Sequence, residues 1–300
     1  MSSRILLTIM ATVLLMTGVV VTSADQDEDV RGAFLESRPK TTNLNGASRR
    51  NRRRPATTNA SAKPAANVSS AANANTAAAP VAHRTPAKKA LPAIGLGYTI
   101  FMRDPSGRAI RVEPTRDFHN GDRIRLALEP NVDGYLYIFN SENGAPAQMI
   151  FPDVRLGGGE NWIEAHVPIE VPSSEEAEER FRWFEFFGDP GTERIYVVVT
   201  REPLAGVPTA EELVAFCGLN KDQCPFKPAA DAWELIEKAT KADVKVATTK
   251  NFGEAQTERE KVAMTRGLGL DKSMPQPSVI RITASSNEPM LVTVVDLVHK

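Results

Sequence analysis

The stretch Asp122-Arg-Ile-Arg-Leu-Ala-Leu-Glu129 decides the fold class of this chain. Within it, charged and apolar side chains alternate with a period of two, as Arg-Ile-Arg-Leu. Successive side chains of a β-strand point to opposite faces, so this alternation is typical of a strand buried on one face only. The stretch therefore predicts a half-buried strand at the centre of a β-rich domain.

Further runs with strand character lie on both sides of this stretch. They are 97–104, 108–113, 134–142, 147–152, 161–167, 193–200, 279–286 and 289–298. Turn-forming residues separate them, for example Asp104-Pro105-Ser106-Gly107 and Gly157-Gly158-Gly159. Short strands at this spacing predict an antiparallel sandwich or barrel. We expect the two C-terminal runs to return to the same sheet, so that residues 93–300 form one domain.

A small helical insertion is predicted near residues 207–265. Thr209 precedes an apolar run and Glu212 follows three positions later, which is the pattern of a capping box. This helix is expected to end at Gly218, and a second one is expected over 229–239. Residues 241–277 are charged and weakly patterned, which indicates a partly helical connector.

The first 24 residues have the three parts of a secretory signal peptide. Arg4 is the only charge before an apolar run from Ile5 to Val21, and Thr22-Ser23-Ala24 provides a small-residue cleavage site. The alternative is an uncleaved anchor that associates the protein with a membrane, although the run is short for a spanning helix. The sequence predicts a secreted or periplasmic protein.

Residues 25–92 are predicted to be a disordered, cationic linker rich in Ala, Asn and Pro. From Ser37 to Ala90 there are eleven basic residues and no acidic ones. Large apolar side chains are scarce there, so burial cannot offset the entropy cost of ordering. From Leu91 onward the chain holds 23 basic and 32 acidic residues. A cationic segment is thus joined to an anionic body.

A family resemblance is carried by several blocks in a fixed order. Gly121-Asp122 precedes one strand, Asp133-Gly134-Tyr135-Leu136-Tyr137 lies in the next, and Phe151-Pro152-Asp153 ends a third. Gly191-Thr192-Glu193-Arg194 opens a later strand. Over roughly residues 98–203, the chain resembles a bacterial family called domain of unknown function 4384. The resemblance implies a β-sandwich accessory module of secreted or membrane-linked proteins, and it brings no catalytic residues.

Cys217 and Cys224 are the only two cysteines of the chain. Paired cysteines in an exported protein usually form a disulfide, and closing so short a loop contributes about 2–3 kcal/mol. A redox pair usually has the Cys-x-x-Cys spacing, and a zinc site needs further ligands nearby. A structural disulfide is therefore predicted.

No sequence motif indicates catalysis, a cofactor or a metal site. The four histidines are His83, His119, His166 and His299, and none belongs to an HExxH or Cys/His pattern. No Gly-x-Ser-x-Gly motif is present either. We therefore predict no catalytic, cofactor-binding or metal-binding residue and a protein that is not an enzyme.

Two groups of residues are candidates for binding. In a strand over 183–187, Trp183 and Phe187 share one face and form a ligand platform, unless neighbouring strands cover both faces. The arginine cluster is the second group, with Arg49, Arg50, Arg52, Arg53 and Arg54. An exported segment seldom meets nucleic acid, so the predicted partners are an anionic envelope polymer, lipid headgroups or the acidic body itself. A role in solubility alone is the alternative.

Taken together, the sequence predicts a non-catalytic binding or accessory module of the bacterial cell envelope. Its fold is a single antiparallel β-sandwich with a helical insertion, and its partner is an unidentified envelope protein or anionic polymer. Two alternatives stay open at this point. One is a hydrolase in which His119 or His166 approaches two carboxylates in a pocket, and the other is an assembly subunit that uses free sheet edges.

Overall fold

The alternating stretch 123–128 forms a strand that pairs with three others. The structure is a computed structural model that describes residues 23–41, 91–155, 157–221 and 224–300. Its strands are β1 (Gly95–Arg103), β2 (Ala109–Val112), β3 (Asp117–Phe118), β4 (Arg123–Pro130), β5 (Gly134–Glu142), β6 (Gln148–Phe151), β7 (Trp162–Ile163), β8 (Ile169–Val171), β9 (Phe184–Glu185), β10 (Gly191–Thr200), β11 (Val244–Thr248), β12 (Val279–Thr283) and β13 (Met290–His299). Its helices are α1 (Ser23–Glu36), α2 (Ala210–Leu219), α3 (Ala230–Ala239) and α4 (Glu258–Thr265).

These strands form two sheets. Sheet A has the order β11-β12-β1-β4-β8, with β2 paired to β1 and β9 paired to β4. Sheet B has the order β3-β13-β10-β5-β6, with β7 paired to β5. Neighbouring strands are antiparallel except β13 and β3, which are parallel. The expectation of a mainly β fold is confirmed, and each predicted strand run contains a strand.

Both sheets contribute side chains to one apolar core. Leu126 of β4 lies in the same buried cluster as Ile138 of β5 and Val197 of β10. The opposite face of β4 carries Arg123, Arg125 and Glu129. The alternation in the sequence therefore separates a core face from a charged face. The prediction of a half-buried strand is wrong, because Arg125, Ala127 and Glu129 on the charged face are also buried.

The prediction that both C-terminal strands complete the same sheet is wrong. β12 pairs with β1 in sheet A, whereas β13 pairs with β10 in sheet B over ten residue positions. A period of two shows which side chains share a face, but it does not identify the strand's partner. The short connection at 284–289 passes the chain from one sheet to the other.

The helical insertion is present but was predicted incompletely. α2 and α3 lie close to the expected bounds, and α2 ends at Leu219. Thr209 makes no side-chain capping bond, so the expected capping box is absent there; Thr257 and Glu260 form one at the start of α4. Residues 244–248 form an edge strand of sheet A rather than part of a helical connector, since β-branched Val244 packs against the core.

Residues 25–41 were predicted to belong to a disordered linker, and this prediction is wrong. α1 packs on sheet A, where Val30 and Phe34 join Ala247, Ile280 and Ile282 in a buried cluster. The spacing of Val30 and Phe34 places both on one face of the helix. Averaging composition over 25–92 hid this short apolar stripe, because the residues around it are acidic and polar.

The end of α1 is fixed by a buried ion pair. Arg38 is 2% exposed, and it donates from Nε and Nη2 to the two carboxylate oxygens of Glu129 at 2.8 and 2.6 Å. It also donates to the carbonyl oxygens of Asp271, Met274 and Pro275. Burial alone would raise the pKa of Glu129, but the bonds from Arg38 and His166 outweigh it and lower the pKa below its usual value.

This attachment changes the role expected for the cationic segment. Residues 42–90 lie outside the described residues, and they connect two points of the same folded body, the end of α1 and the start of β1. A simple spacer between a membrane and a folded head is not compatible with α1 lying on that head. Within the described residues, no helix has the length and apolar composition needed to cross a membrane. The apolar run at 5–21 lies outside them.

Replacing Arg38 tests whether α1 belongs to the folded body. Arg38→Ala leaves the Glu129 carboxylate buried without its guanidinium, so we expect the free energy of unfolding to fall by about 3–5 kcal/mol. Arg194→Ala is the matched control, because Arg194 and Asp296 form an exposed pair that is worth about 0–1 kcal/mol. Urea denaturation of both variants gives the comparison. Equal, small losses would contradict the attachment of α1.

Candidate functional site

A cleft of about 280 Å³ opens between β6 and β8, the strands that end sheet B and sheet A on this side. Its lining combines apolar and aromatic side chains with four charged ones. The lining residues are Met149, Ile150, Asp153, Arg155, Val171, Pro172, Glu176, Arg180, Phe181, Trp183, Phe184 and Pro225. Both strands beside the cleft are short, with four residues in β6 and three in β8.

The segment after β6 supplies one charged pair at the cleft. The chain leaves the core at Phe151, and Asp153 accepts bonds from the backbone N–H and the side chain of Arg155. Burial alone would raise the pKa of Asp153, but the bonds from Arg155 outweigh it and lower the pKa. Asp153 is therefore a carboxylate at neutral pH, and its role is to hold Arg155 in position.

The opposite wall of the cleft is aromatic and is fixed from behind by β4. The Arg125 guanidinium lies 4.0 Å from the Trp183 ring centroid, a cation–π contact, and its Nε and Nη2 donate to the Arg182 carbonyl oxygen at 3.0 Å. Arg125 is 4% exposed and also lies 3.6 Å from Glu170 of β8. The Trp183 indole N–H makes no hydrogen bond within the described part of the chain, so it is a free donor.

The two cysteines lie at disulfide distance, as predicted, with Cα atoms 5.6 Å apart. The bond fixes the segment that follows Cys224 near the end of α2. In this segment Pro225 lines the cleft, and Phe226 accepts a hydrogen bond from the Met149 backbone N–H at 2.8 Å. The disulfide therefore joins the helical insertion to one side of the cleft.

The predicted platform of Trp183 and Phe187 does not form. The strand in this region is limited to Phe184 and Glu185, so 183 and 187 are not on one face of a continuous strand. Trp183 lines the cleft, whereas Phe187 is 82% exposed and is not among the lining residues. Phe186, between them, is buried and stacks on Phe118 with ring centroids 4.7 Å apart.

The remaining candidates fall into two groups. Arg49, Arg50, Arg52, Arg53 and Arg54 lie outside the described residues. His119 lies in an exposed turn, where its backbone N–H donates to Asp122. Among the described residues, no group of three or more His, Cys, Asp or Glu side chains is arranged to hold a metal ion.

His166, one of the two histidines named for the hydrolase alternative, is the centre of a polar arrangement that contains one carboxylate instead of two. Its Nδ1 lies 2.7 Å from Glu129 Oε1, and its Nε2 lies 2.7 Å from the Ser37 hydroxyl. The residue has φ of 56°, a left-handed conformation that is uncommon outside glycine. Serine, histidine and glutamate in this order can form a nucleophile, a base and an orienting acid. However, the Ser37 hydroxyl donates its hydrogen to the Phe34 carbonyl oxygen at 2.7 Å, so this hydrogen is not directed at His166 Nε2.

Sequence reasoning missed most of the cleft, because its residues come from separated segments. The usable signals were the Phe151-Pro152-Asp153 block and the density of aromatic residues over 181–187. The first ends beside the cleft, and the second supplies three lining side chains. Arg155 and Arg180 gave no signal, since isolated arginines near turns are common on protein surfaces.

Comparison with known families gives one match. Residues 117–203 match the family described as Domain of unknown function (DUF4384), which confirms the resemblance over a narrower range than expected. Every lining residue of the cleft except Pro225 lies within this range. No curated protein and no solved structure matches the chain.

Two glycines of the resemblance blocks are explained by close packing. A Cβ at Gly134 would lie 2.1 Å from the Thr200 carbonyl oxygen, and one at Gly191 would lie 2.3 Å from the Asn143 side chain. Both positions sit where β5 and β10 meet the loops at their ends. These blocks therefore serve the fold, whereas Asp153 is the residue of the blocks that lines the cleft.

Proposed function

We propose that this chain is a non-catalytic, exported β-sandwich module that binds a partner of the bacterial cell envelope through the cleft between β6 and β8. The observation that carries the proposal is the half-open aromatic cleft, whose lining comes almost entirely from the range that matches the family. Pockets with an apolar lining and a few convergent polar groups are the usual form of a binding site.

The size of the cleft supports a specific mode of binding. Ligand pockets usually measure about 300–1,000 Å³, so a cleft of about 280 Å³ is at the lower end. It fits one large apolar side chain of a partner protein better than a whole cofactor. Phe181, at 39% exposed, presents a ring that such a side chain can cover.

The proposed location outside the cytosol rests on two features. The first 24 residues have the pattern of a signal peptide. The pair Cys217 and Cys224 lies at bonding distance, and disulfides persist mainly in oxidising compartments. Because α1 lies on the folded body, the arginine cluster at 49–54 follows that body closely in the sequence. Its proposed role is contact with an anionic envelope polymer.

A neutral apolar dye tests the cleft without a known partner. N-phenylnaphthylamine becomes fluorescent in apolar surroundings, and we expect it to bind the protein with a Kd raised about tenfold by Phe181→Ser, because a large apolar contact is lost. Phe187→Ser is the matched control, since this exposed ring lies outside the cleft. Equal dye binding by both variants would show that the cleft is not the apolar site.

A hydrolase is the second candidate, and the arrangement of Ser37, His166 and Glu129 is the observation that favours it. Two features weigh against it. The Ser37 hydroxyl donates to the Phe34 carbonyl, and Ser37 directly follows the C-terminal end of α1. The carbonyl end of a helix carries partial negative charge, which opposes the oxyanion formed in acyl transfer. We interpret the three residues as part of the attachment of α1.

A fluorophosphonate probe distinguishes these interpretations. If Ser37 is a structural residue, the probe leaves it unlabelled, and mass spectrometry finds no modified peptide containing this serine. Labelling of wild-type protein that is lost in both Ser37→Ala and His166→Gln would establish an activated nucleophile and would replace the non-catalytic proposal. Thermal unfolding of both variants serves as the folding control.

Assembly through sheet edges has weaker support. The edge strands β3, β6 and β8 have between two and four residues, and Pro168 and Pro172 flank β8. The edge strand β11 has five residues, and its Ala247 is covered by Val30 and Phe34 of α1. Short edges and neighbouring prolines are features that prevent strands of different molecules from pairing.

A further inference from the structure

Two arginines at the mouth of the cleft are held in the same way. Arg155 donates from Nε and Nη2 to Asp153, and Arg180 donates from the same two atoms to Glu178. Each acid lies two residues before its arginine in the chain. Both arginine side chains remain highly exposed, at 70% and 71%. Within the described residues, neither Nη1 group makes a hydrogen bond, so each guanidinium keeps one free donor edge.

Both guanidiniums are close to one aromatic ring. The Cζ atoms of Arg180 and Arg155 lie 4.5 and 5.7 Å from the ring centroid of Phe181. An apolar group that packs on Phe181 therefore brings any polar atom attached to it close to the two free Nη1 groups. A guanidinium binds a second carboxylate well through such an edge, because its donors have fixed, planar directions.

The charges of the cleft are arranged by depth. The lining contains two arginines and two acids, Asp153 and Glu176, so its formal charge is zero. The Asp153 side chain is only 17% exposed, and Glu176 is half-buried, whereas both arginines are exposed. Glu178 is also exposed, at 58%, and pairs with Arg180, so the mouth has no net positive charge. What the mouth offers an anion is the free Nη1 edge of each guanidinium. This distribution favours a ligand with one anionic group next to an apolar group over a ligand with several charges.

We propose that the cleft recognises an acidic peptide segment of its partner, with a large apolar side chain against Phe181 and an adjacent carboxylate on Arg155 and Arg180. This inference rests on the proposed function and specifies its ligand. Strand addition at the sheet edge is disfavoured by the prolines beside β8, so recognition occurs through side chains. The acids Asp153 and Glu178 act as positioning residues that fix the two guanidiniums.

The test is displacement of N-phenylnaphthylamine from the intact protein by two blocked pentapeptides, Ac-Ala-Ala-Phe-Glu-Ala-NH2 and its Phe-Gln counterpart. They differ only in the charge next to the aromatic residue. We expect half-displacement by the Glu peptide at a concentration about fivefold lower, as an exposed ion pair supplies up to about 1 kcal/mol. The double variant R155Q/R180Q should lose this preference.

The control is R108Q. Arg108 is exposed and pairs with Asp104 in a similar fork, but it lies outside the cleft, so the preference should persist. Two outcomes would overturn the inference: equal potency of the two peptides on wild-type protein, or an unchanged preference in the double variant. Neither outcome would contradict the proposal that the cleft binds apolar groups. Dye binding that Phe181→Ser leaves unchanged would overturn the proposed function itself. If N-acetylphenylalanine matches the Glu peptide, the ligand is a small organic acid and not a peptide.

Discussion

Three charged side chains on the outer face of β4 hold the segments that cover sheet A. Arg123 pairs with Glu185, Arg125 stacks on Trp183, and Glu129 accepts two bonds from Arg38. The apolar residues between them point into the shared core. Apolar packing therefore holds one face of β4, and the charged side chains on the other face contact the segments that cover it. A buried charge is costly unless it is paired and fully hydrogen-bonded. Arg125 and Glu129 are buried, so each of their contacts defines one arrangement of the covering segment, whereas the pair of Arg123 and Glu185 is exposed.

The cleft is a consequence of this arrangement. Arg125 fixes the aromatic wall at Trp183, and the cleft opens between the short strands β6 and β8. The disulfide of Cys217 and Cys224 adds Pro225 from the helical insertion. A site assembled from both sheets and the insertion has its side chains in place before a ligand arrives. Such preorganisation reduces the entropy cost of binding.

The strands could be predicted from the sequence because alternation is a local property. In a run such as 193–200, the residue types themselves indicate which positions are buried, and strand β10 contains the whole run. α1 was missed because two apolar residues, Val30 and Phe34, carry its packing within a polar stretch. The partners of β12 and β13 were mispredicted because pairing depends on distant segments. The ion pair of Arg38 and Glu129 joins residues 91 positions apart, and no local pattern contains it.

The proposed binding site contains Trp183, one of three tryptophans in the chain. Trp233 donates its indole N–H to Glu237, and Trp162 packs on Tyr135 of sheet B, so neither lines the cleft. The most direct measurement is a proton–nitrogen correlation spectrum of the three indole N–H groups during titration with the Glu-containing peptide. The account predicts that the Trp183 resonance shifts and the other two stay in place. A shift of Trp162 or Trp233 without one of Trp183 would contradict it.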